Sequence, residues 1–453
     1  MGSNLDIDGE AVERMLRAIG VESTEELFTD IPEQVRLRAE LNLPGPLREW
    51  ELVAHLRSMA SCNASSVETP HFLGAGCYDH HVFCATKSLI RRGEFFTAYT
   101  PYQPELSQGT LQATFEFQTY VCLLAGMEVA NASMYDGATA LAEAVLMAQR
   151  IRPGRQRVVI SGGVHPEYRA VVRTMTDPLG LELMEIEPDP SWQTDWKKLR
   201  DSITADTSCL VLQNPNFFGT IEDLEGLRGA QEAIHRVQGL FILVVVETTS
   251  LGLLRPPGEL GADIFVGEGQ PLGLPMAFGG PHLGLLATKE AFLRQMPGRL
   301  VGQSHDSRGR RGFVLTLATR EQHIRRERAT SNICTNQALC ALAMTIQLAL
   351  LGPAGLREVA VRSSQMTHRA IHELARVPGL EIGQKRVYNE FVVRTPMDPG
   401  ELNRELLARG MVGGLDLGRL NPAWKGNWLL CFTEKNSLEH LQRLASALKE
   451  VLG

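Results

Sequence analysis

"LFILVVVETTSLGLLRPPGELGADIFVGEG", residues 240–269, holds two short β-rich runs, "LFILVVVETTS" and "ADIFVGEG", each ending in Gly, Ser or an acid. Over 240–246 the first is unbroken by any polar residue. Strands covered on both faces read this way, because neither face meets water. Two runs of the same kind come earlier, "RVVISGG" (157–163) and "SCLVLQNPN" (208–216), and a helical pattern, "GATALAEAVLMAQRI" (137–151), precedes them. Strands alternating with helical or loop segments predict an α/β domain with a mostly parallel sheet flanked by helices. In such sheets ligands sit beyond the carboxyl ends of the strands. The residues that close each run are therefore the ones to inspect.

Around these runs the chain reads as three regions. Residues 1–62 form a helical arm: "EAVERMLRAIG" stops at Gly20, and "TEELFTDIPEQVRLR" and "PLREWELVAHLRSMAS" repeat its apolar spacing, with Pro46 suited to a first helical turn. Residues 63–334 form the large α/β domain. Residues 335–453 form a linking helix, over about 335–351, and a smaller α+β domain built from "LEIGQKRVYNEFVVRT", "PGELNRELLARG", "NWLLCFTEKN" and "SLEHLQRLASALKEVL". Between the last two regions lies a basic stretch, "HDSRGRRGFVLTLATREQHIRRERATSN" (305–332).

Composition excludes several classes. At 453 residues, two to three units are expected, and 44% hydrophobic content allows a large core. A net charge of −7 speaks against nucleic acid. The eight cysteines include no C-x-x-C pair, so neither a metal site nor a disulfide framework is expected. Asp6, Asp8 and Glu10 stand where a signal peptide would be basic. "LFILVVV" is too short to cross a bilayer, and "ALCALAMTIQLALLG" (338–352) is interrupted by Thr345 and Gln347. A cytoplasmic chain without a membrane segment is expected.

The strand ends carry a coherent set of groups. Asp136, Gly137, Ala138 and Thr139 open a helix, where free N–H groups suit either a phosphate or an ordinary cap. His165 follows one strand and could lie on a heteroaromatic ring or be structural. Asn214 and Asn216 flank Pro215 at another strand end, which equally describes a polar turn. Glu247 emerges from a buried run and needs a partner, a pyridinium nitrogen or an arginine. A loop rich in Gly and Pro, "GEGQPLGLPMAFGGPHLG" (267–284), comes next. Their order matches the large domain of fold-type-I pyridoxal phosphate (PLP) enzymes. The Schiff-base lysine is missing: Gln270 holds the nearest position. Of the eight lysines only Lys289 is close, and it is expected past the next strand.

Four stretches carry a closer resemblance: "GAGCYDHHV" (74–82), "FFTAYTPYQPELSQGTLQATFEFQT" (95–119), "EVANASMYDGATALAEA" (128–144) and "RATSNICTNQAL" (328–339). Together they resemble glycine decarboxylase, the P-protein of the glycine cleavage system, and within it subunit 1 of the two-subunit form. The family's lysine loop, in the other subunit, aligns with 269–284 without a gap. It shares Pro275 and Gly279-Gly280-Pro281, puts Gln270 at the lysine, and has His-Gly-Gly where this chain has Met276-Ala277-Phe278, side chains expected to crowd a cofactor. Glu247 replaces the family's shorter aspartate, and Phe83 stands where proline is expected after "HHV".

The resemblance implies a subunit of glycine dehydrogenase (decarboxylating), inactive alone. With a lysine-bearing subunit 2, which binds PLP covalently, it would decarboxylate glycine and pass the aminomethyl group to the lipoyl arm of H-protein, as an α2β2 heterotetramer. Pro101 and Pro104 rule out a regular helix over "TAYTPYQPELSQG". The resemblance makes Tyr99, Tyr102, Gln103 and Glu105 contributors to the shared site. Two alternatives remain: an independent fold-type-I PLP enzyme using another lysine, and a non-catalytic stabilising subunit.

Overall fold

The computed structural model of the chain describes residues 9–37, 39, 41–333 and 335–453. The chain divides into two compact units, Met1–Asn63 and Ala64–Gly453. In the first, helices Gly9–Ile19 and Glu49–Ala60 bury none of their own residues, and Trp50, Leu56 and Met59 stay exposed. Gly20 ends the first helix with φ +88°. The expected middle helix is instead two 3-10 turns, Thr24–Phe28 and Glu33–Val35. Pro32 between them has no N–H to continue a helix. Pro46 lies ahead of the last helix rather than in its first turn.

The second unit is built on a seven-stranded sheet: β1 (Val129–Ala130), β2 (Arg157–Ser161), β3 (Glu182–Ile186), β4 (Thr207–Gln213), β5 (Leu240–Val245), β6 (Ile264–Glu268) and β7 (Gly284–Thr288). Their order is β1-β7-β6-β5-β4-β2-β3. Strands β6, β5, β4, β2 and β3 pair in parallel, while β7 and β1 add antiparallel at one edge. The unbroken apolar run of β5 is explained by two cores. Phe241, Leu243 and Val245 pack on one face with Phe117 and Val121 of helix Gln108–Ala125 and Met344 of helix Ala338–Leu374. Leu240, Ile242 and Val244 face the other side, with Leu141 and Val145 of helix Gly137–Ile151.

A hairpin, β8 (Leu300–His305) and β9 (Arg311–Thr316), occupies much of the basic stretch. Three antiparallel strands, β10 (Glu390–Arg394), β11 (Leu415–Asp416) and β12 (Asn427–Cys431), form a smaller sheet in the order β10-β12-β11. Phe391, Trp428 and Phe432 fill its core, with Phe72 from the start of the unit. The linking helix is Ala338–Leu374, longer than expected, with a break at Gly352 (φ 59°, ψ −179°) ahead of Pro353. It is the one described helix long and apolar enough to cross a membrane. Its Gln347 is buried and holds Phe83 N–H, Thr86 Oγ1 and the His81 carbonyl. The first of those bonds needs the N–H that a proline at 83 would lack.

Candidate functional site

The carboxyl ends of β2, β4, β5 and β6 converge on a pocket, and the chain itself fills it. Glu268, the last residue of β6, is 1% exposed. One of its oxygens accepts from Gly137 N–H (3.0 Å), at the start of helix Gly137–Ile151. The other accepts from Gln270 N–H (3.0 Å) and Leu283 N–H (2.8 Å). His282 Nδ1 stands 3.5 Å away. A fixed carboxylate thus holds the anion position at a helix N-terminus, compensated by oriented N–H groups. Asp136 and Thr139 cap the helix reciprocally, and a side chain at Gly137 would meet Tyr168 Oη at 2.2 Å.

Gln270 pairs with the backbone of Tyr78 on both sides. Its oxygen accepts from Tyr78 N–H and its amide donates to the Tyr78 carbonyl, both at 2.9 Å, with a third bond to Leu274 O. The segment Gly74–Val82 is thereby drawn through the pocket. Gly76, at φ +101°, lies against His165: an added Cβ would stand 2.6 Å from Nε2. His165 donates from Nε2 to the Ala75 carbonyl (2.9 Å) and accepts at Nδ1 from Glu167 N–H (3.2 Å). Those roles fix one neutral tautomer, and burial lowers its pKa.

Glu247 finds its partner in the same segment. Its carboxylate takes Thr249 N–H and Oγ1 on one oxygen, and Asn389 Nδ2 (3.1 Å) and His80 Nε2 (3.0 Å) on the other. His80 Nδ1 meets Glu434 at 2.7 Å, on the turn after β12. Burial opposes a charged ring, but the two carboxylates outweigh it and hold the His80 imidazolium up to about 10. Tyr78 Oη donates to Glu390 (2.7 Å), whose carboxyl is pushed up to about 8 by burial, with the Glu247 charge adding to it. Asn214 accepts from Glu222 N–H, and Asn216 bonds the Trp192 carbonyl, Glu222, Phe218 and Thr220. Both asparagines tie the turn to itself.

These residues do not fit PLP. Glu268 takes the phosphate end, Gly76 and His165 close the ring position, His80 takes the strand-end acid, and Gln270 has no amine. The crowding expected of Met276-Ala277-Phe278 has a different source: Phe278 is 97% exposed, and the segment 74–82 does the filling. Lys289 is no substitute. It pairs with Asp263 (2.6 Å), which precedes β6, at the opposite end of the parallel strands.

The segment Thr97–Ser107 is irregular, as its prolines require. Tyr99 and Tyr102 are exposed, and Gln103 and Glu105 face solvent beside them. A cleft of about 230 Å³ lies behind, lined by Phe95, Tyr99, Thr100, Thr114, Arg299 and Asn336 among others. This surface and the filled pocket are separate features. Glu268, His80 and Tyr78 escaped the sequence reading, although Glu268 closes a buried run just as Glu247 does.

The sheet order and the strand-end pocket define a chain of the fold-type-I PLP-dependent class whose own cofactor site is closed. At fold level it matches the cysteine desulfurase CsdA of Escherichia coli (TM-score 0.64, 14% identity, 88% of this chain and 99% of that one). The family model of the glycine cleavage system P-protein matches residues 3–448, and the chain belongs to that family. It is 50% identical over 438 residues to "Probable glycine dehydrogenase (decarboxylating) subunit 1" of Thermomicrobium roseum, covering 96% of this chain and 97% of that one. The protein of the same name from Desulforamulus reducens is 49% identical, with 96% of each covered. A crystal structure of glycine decarboxylase (P-protein) of the glycine cleavage system, in inhibitor-bound form, superposes with a TM-score of 0.91 at 47% identity over all of both chains.

Proposed function

We propose that this chain is the subunit of a two-subunit glycine decarboxylase that lacks the Schiff-base lysine. The observation that carries the reading is the self-filled pocket: Gln270 and Glu268 stand where an amine and a phosphate would be needed. A second chain then supplies the lysine and binds PLP, which provides the electron sink for loss of the glycine carboxylate as CO2. This chain offers Tyr99, Tyr102, Gln103 and Glu105 to the shared site. The aminomethyl group passes to the lipoyl arm of H-protein, and the assembly is an α2β2 heterotetramer acting in the cytoplasm.

Reconstitution tests this. The chain alone is expected to hold no borohydride-reducible PLP and to exchange no carboxyl carbon between glycine and bicarbonate, whereas adding the second subunit restores exchange. Tyr99→Phe and Tyr102→Phe are expected to assemble normally and to slow exchange, since one lost donor to developing charge costs roughly 10²–10³ in rate. Exchange by the single chain would refute the assignment. Full rates in both variants would leave the segment a packing role.

A further inference from the structure

We infer that Arg299 is a positioning residue that turns the hydroxyls of Thr100 and Tyr102 into outward donors. This rests on the reading above, in which Tyr102 donates into a shared site.

Arg299 sits immediately before β8, and its guanidinium is buried: the residue is 4% exposed. Its main chain is fixed on both sides. The Arg299 carbonyl accepts from Ala132 N–H (2.8 Å), and Gly298 before it has φ +75°, where an added Cβ would stand 3.0 Å from Asn131 Nδ2. From this anchor Nη2 donates to Tyr102 Oη (3.1 Å) and Nη1 to Thr100 Oγ1 (3.4 Å). The guanidinium carbon lies 5.4 Å from the centre of the Tyr102 ring. Nε faces Glu321 at 3.7 Å without making a hydrogen bond. The Tyr102 ring also meets His323 edge-on at 6.2 Å.

Arginine has donors only. Each hydroxyl it bonds is therefore an acceptor on that side, and its own proton must go elsewhere. Tyr102 is 53% exposed, next to Pro101 of the cleft wall, so its proton is available to whatever covers this surface. The surrounding backbone cannot impose this. Pro101 and Pro104 bring no N–H, and the segment has only a few internal bonds, such as Tyr102 N–H to Thr100 O (2.9 Å). A planar fork reaching two hydroxyls at once supplies the missing order, and a lysine ammonium, a point donor on a flexible stem, does not reproduce it.

The test is a double-mutant cycle on the complex reconstituted with the lysine-bearing subunit. Arg299→Lys is expected to lower kcat about ten- to a hundredfold, the scale of a misplaced catalytic group, with KM for glycine unchanged. Adding it to Tyr102→Phe is expected to cost no more than the Thr100 share, well short of the product of the single losses, because both changes remove the Tyr102 donor. Losses that multiply, or full turnover in Arg299→Lys beside a slow Tyr102→Phe, overturn the role of Arg299 and leave the reading of the segment standing. Full turnover in Tyr102→Phe overturns that reading, and this inference with it. Where Arg299→Lys does not assemble, Arg299→Gln, whose single short amide does not reproduce the fork, replaces it in the cycle. A loss shared with Tyr102→Phe then supports the inference, and full turnover or a multiplied loss overturns it.

Discussion

Gln270 shows how much one side chain decides. A carboxamide offers a donor and an acceptor, and here it uses both on the backbone of Tyr78. Lysine has donors only, so Gln270→Lys would leave Tyr78 N–H buried without a partner and set an ammonium in a closed pocket. We expect a loss of about 1–3 kcal/mol in stability, the cost of one unsatisfied buried group, read as a lower urea midpoint. We expect no second PLP per complex, because Glu268 and Gly74–Val82 still fill the site. Borohydride reduction and exchange assays on the reconstituted variant check this. A second stoichiometric PLP with doubled exchange would show that only the lysine had been lost. The glutamine was legible in the sequence as a missing lysine. What it does was not, since its partner lies 192 residues away and backbone atoms leave no mark in a one-letter code.

At the scale of elements, β5 was legible because its burial on two faces forces an unbroken apolar run. The β8–β9 hairpin was hidden by polar residues, Ser304 to Arg311, that its exposed tip tolerates. The second half of helix Ala338–Leu374 was hidden too, because the sequence break at Gly352-Pro353 reads as a stop. Two glycines separate the reasons for such breaks. Gly352 has nothing within 4 Å of an added Cβ, so Gly352→Ala meets only its backbone strain, about 1–3 kcal/mol. Gly137 has an ordinary φ but faces Tyr168 Oη at 2.2 Å, so Gly137→Ala must displace a buried phenol. Overpacking of that kind costs typically 1–3 kcal/mol. Shortening the buried ring removes the clash, so Tyr168→Leu is expected to relieve Gly137→Ala and not Gly352→Ala in thermal melts. Equal relief of both would mean that crowding is not what Gly137 avoids.

Across the whole second unit, His80 ties the end of β5 to the turn after β12 through Glu247 and Glu434. Its pKa rises from the usual 6.5 to about 10, so its stabilisation is complete below pH 6.5 and is lost as pH climbs through 10. Glu390 acts in the same direction over a lower window. Burial holds its proton to about 8, so stability falls as pH rises from 4.5, where an unfolded carboxyl ionises, towards 8. The urea midpoint is therefore expected to decline from pH 5 to pH 10. Glu390→Gln is expected to flatten the lower part of that decline and keep the upper part. A midpoint that climbs with pH would contradict both assignments. The filled pocket also frees the fold of this chain from the supply of the vitamin. A PLP enzyme made without its vitamin is left with unmet polar groups, whereas this chain meets those needs from its own side chains. Cells starved of vitamin B6 are expected to accumulate this subunit at full yield and with an unchanged melting temperature, and only the activity of the complex should track the vitamin supply.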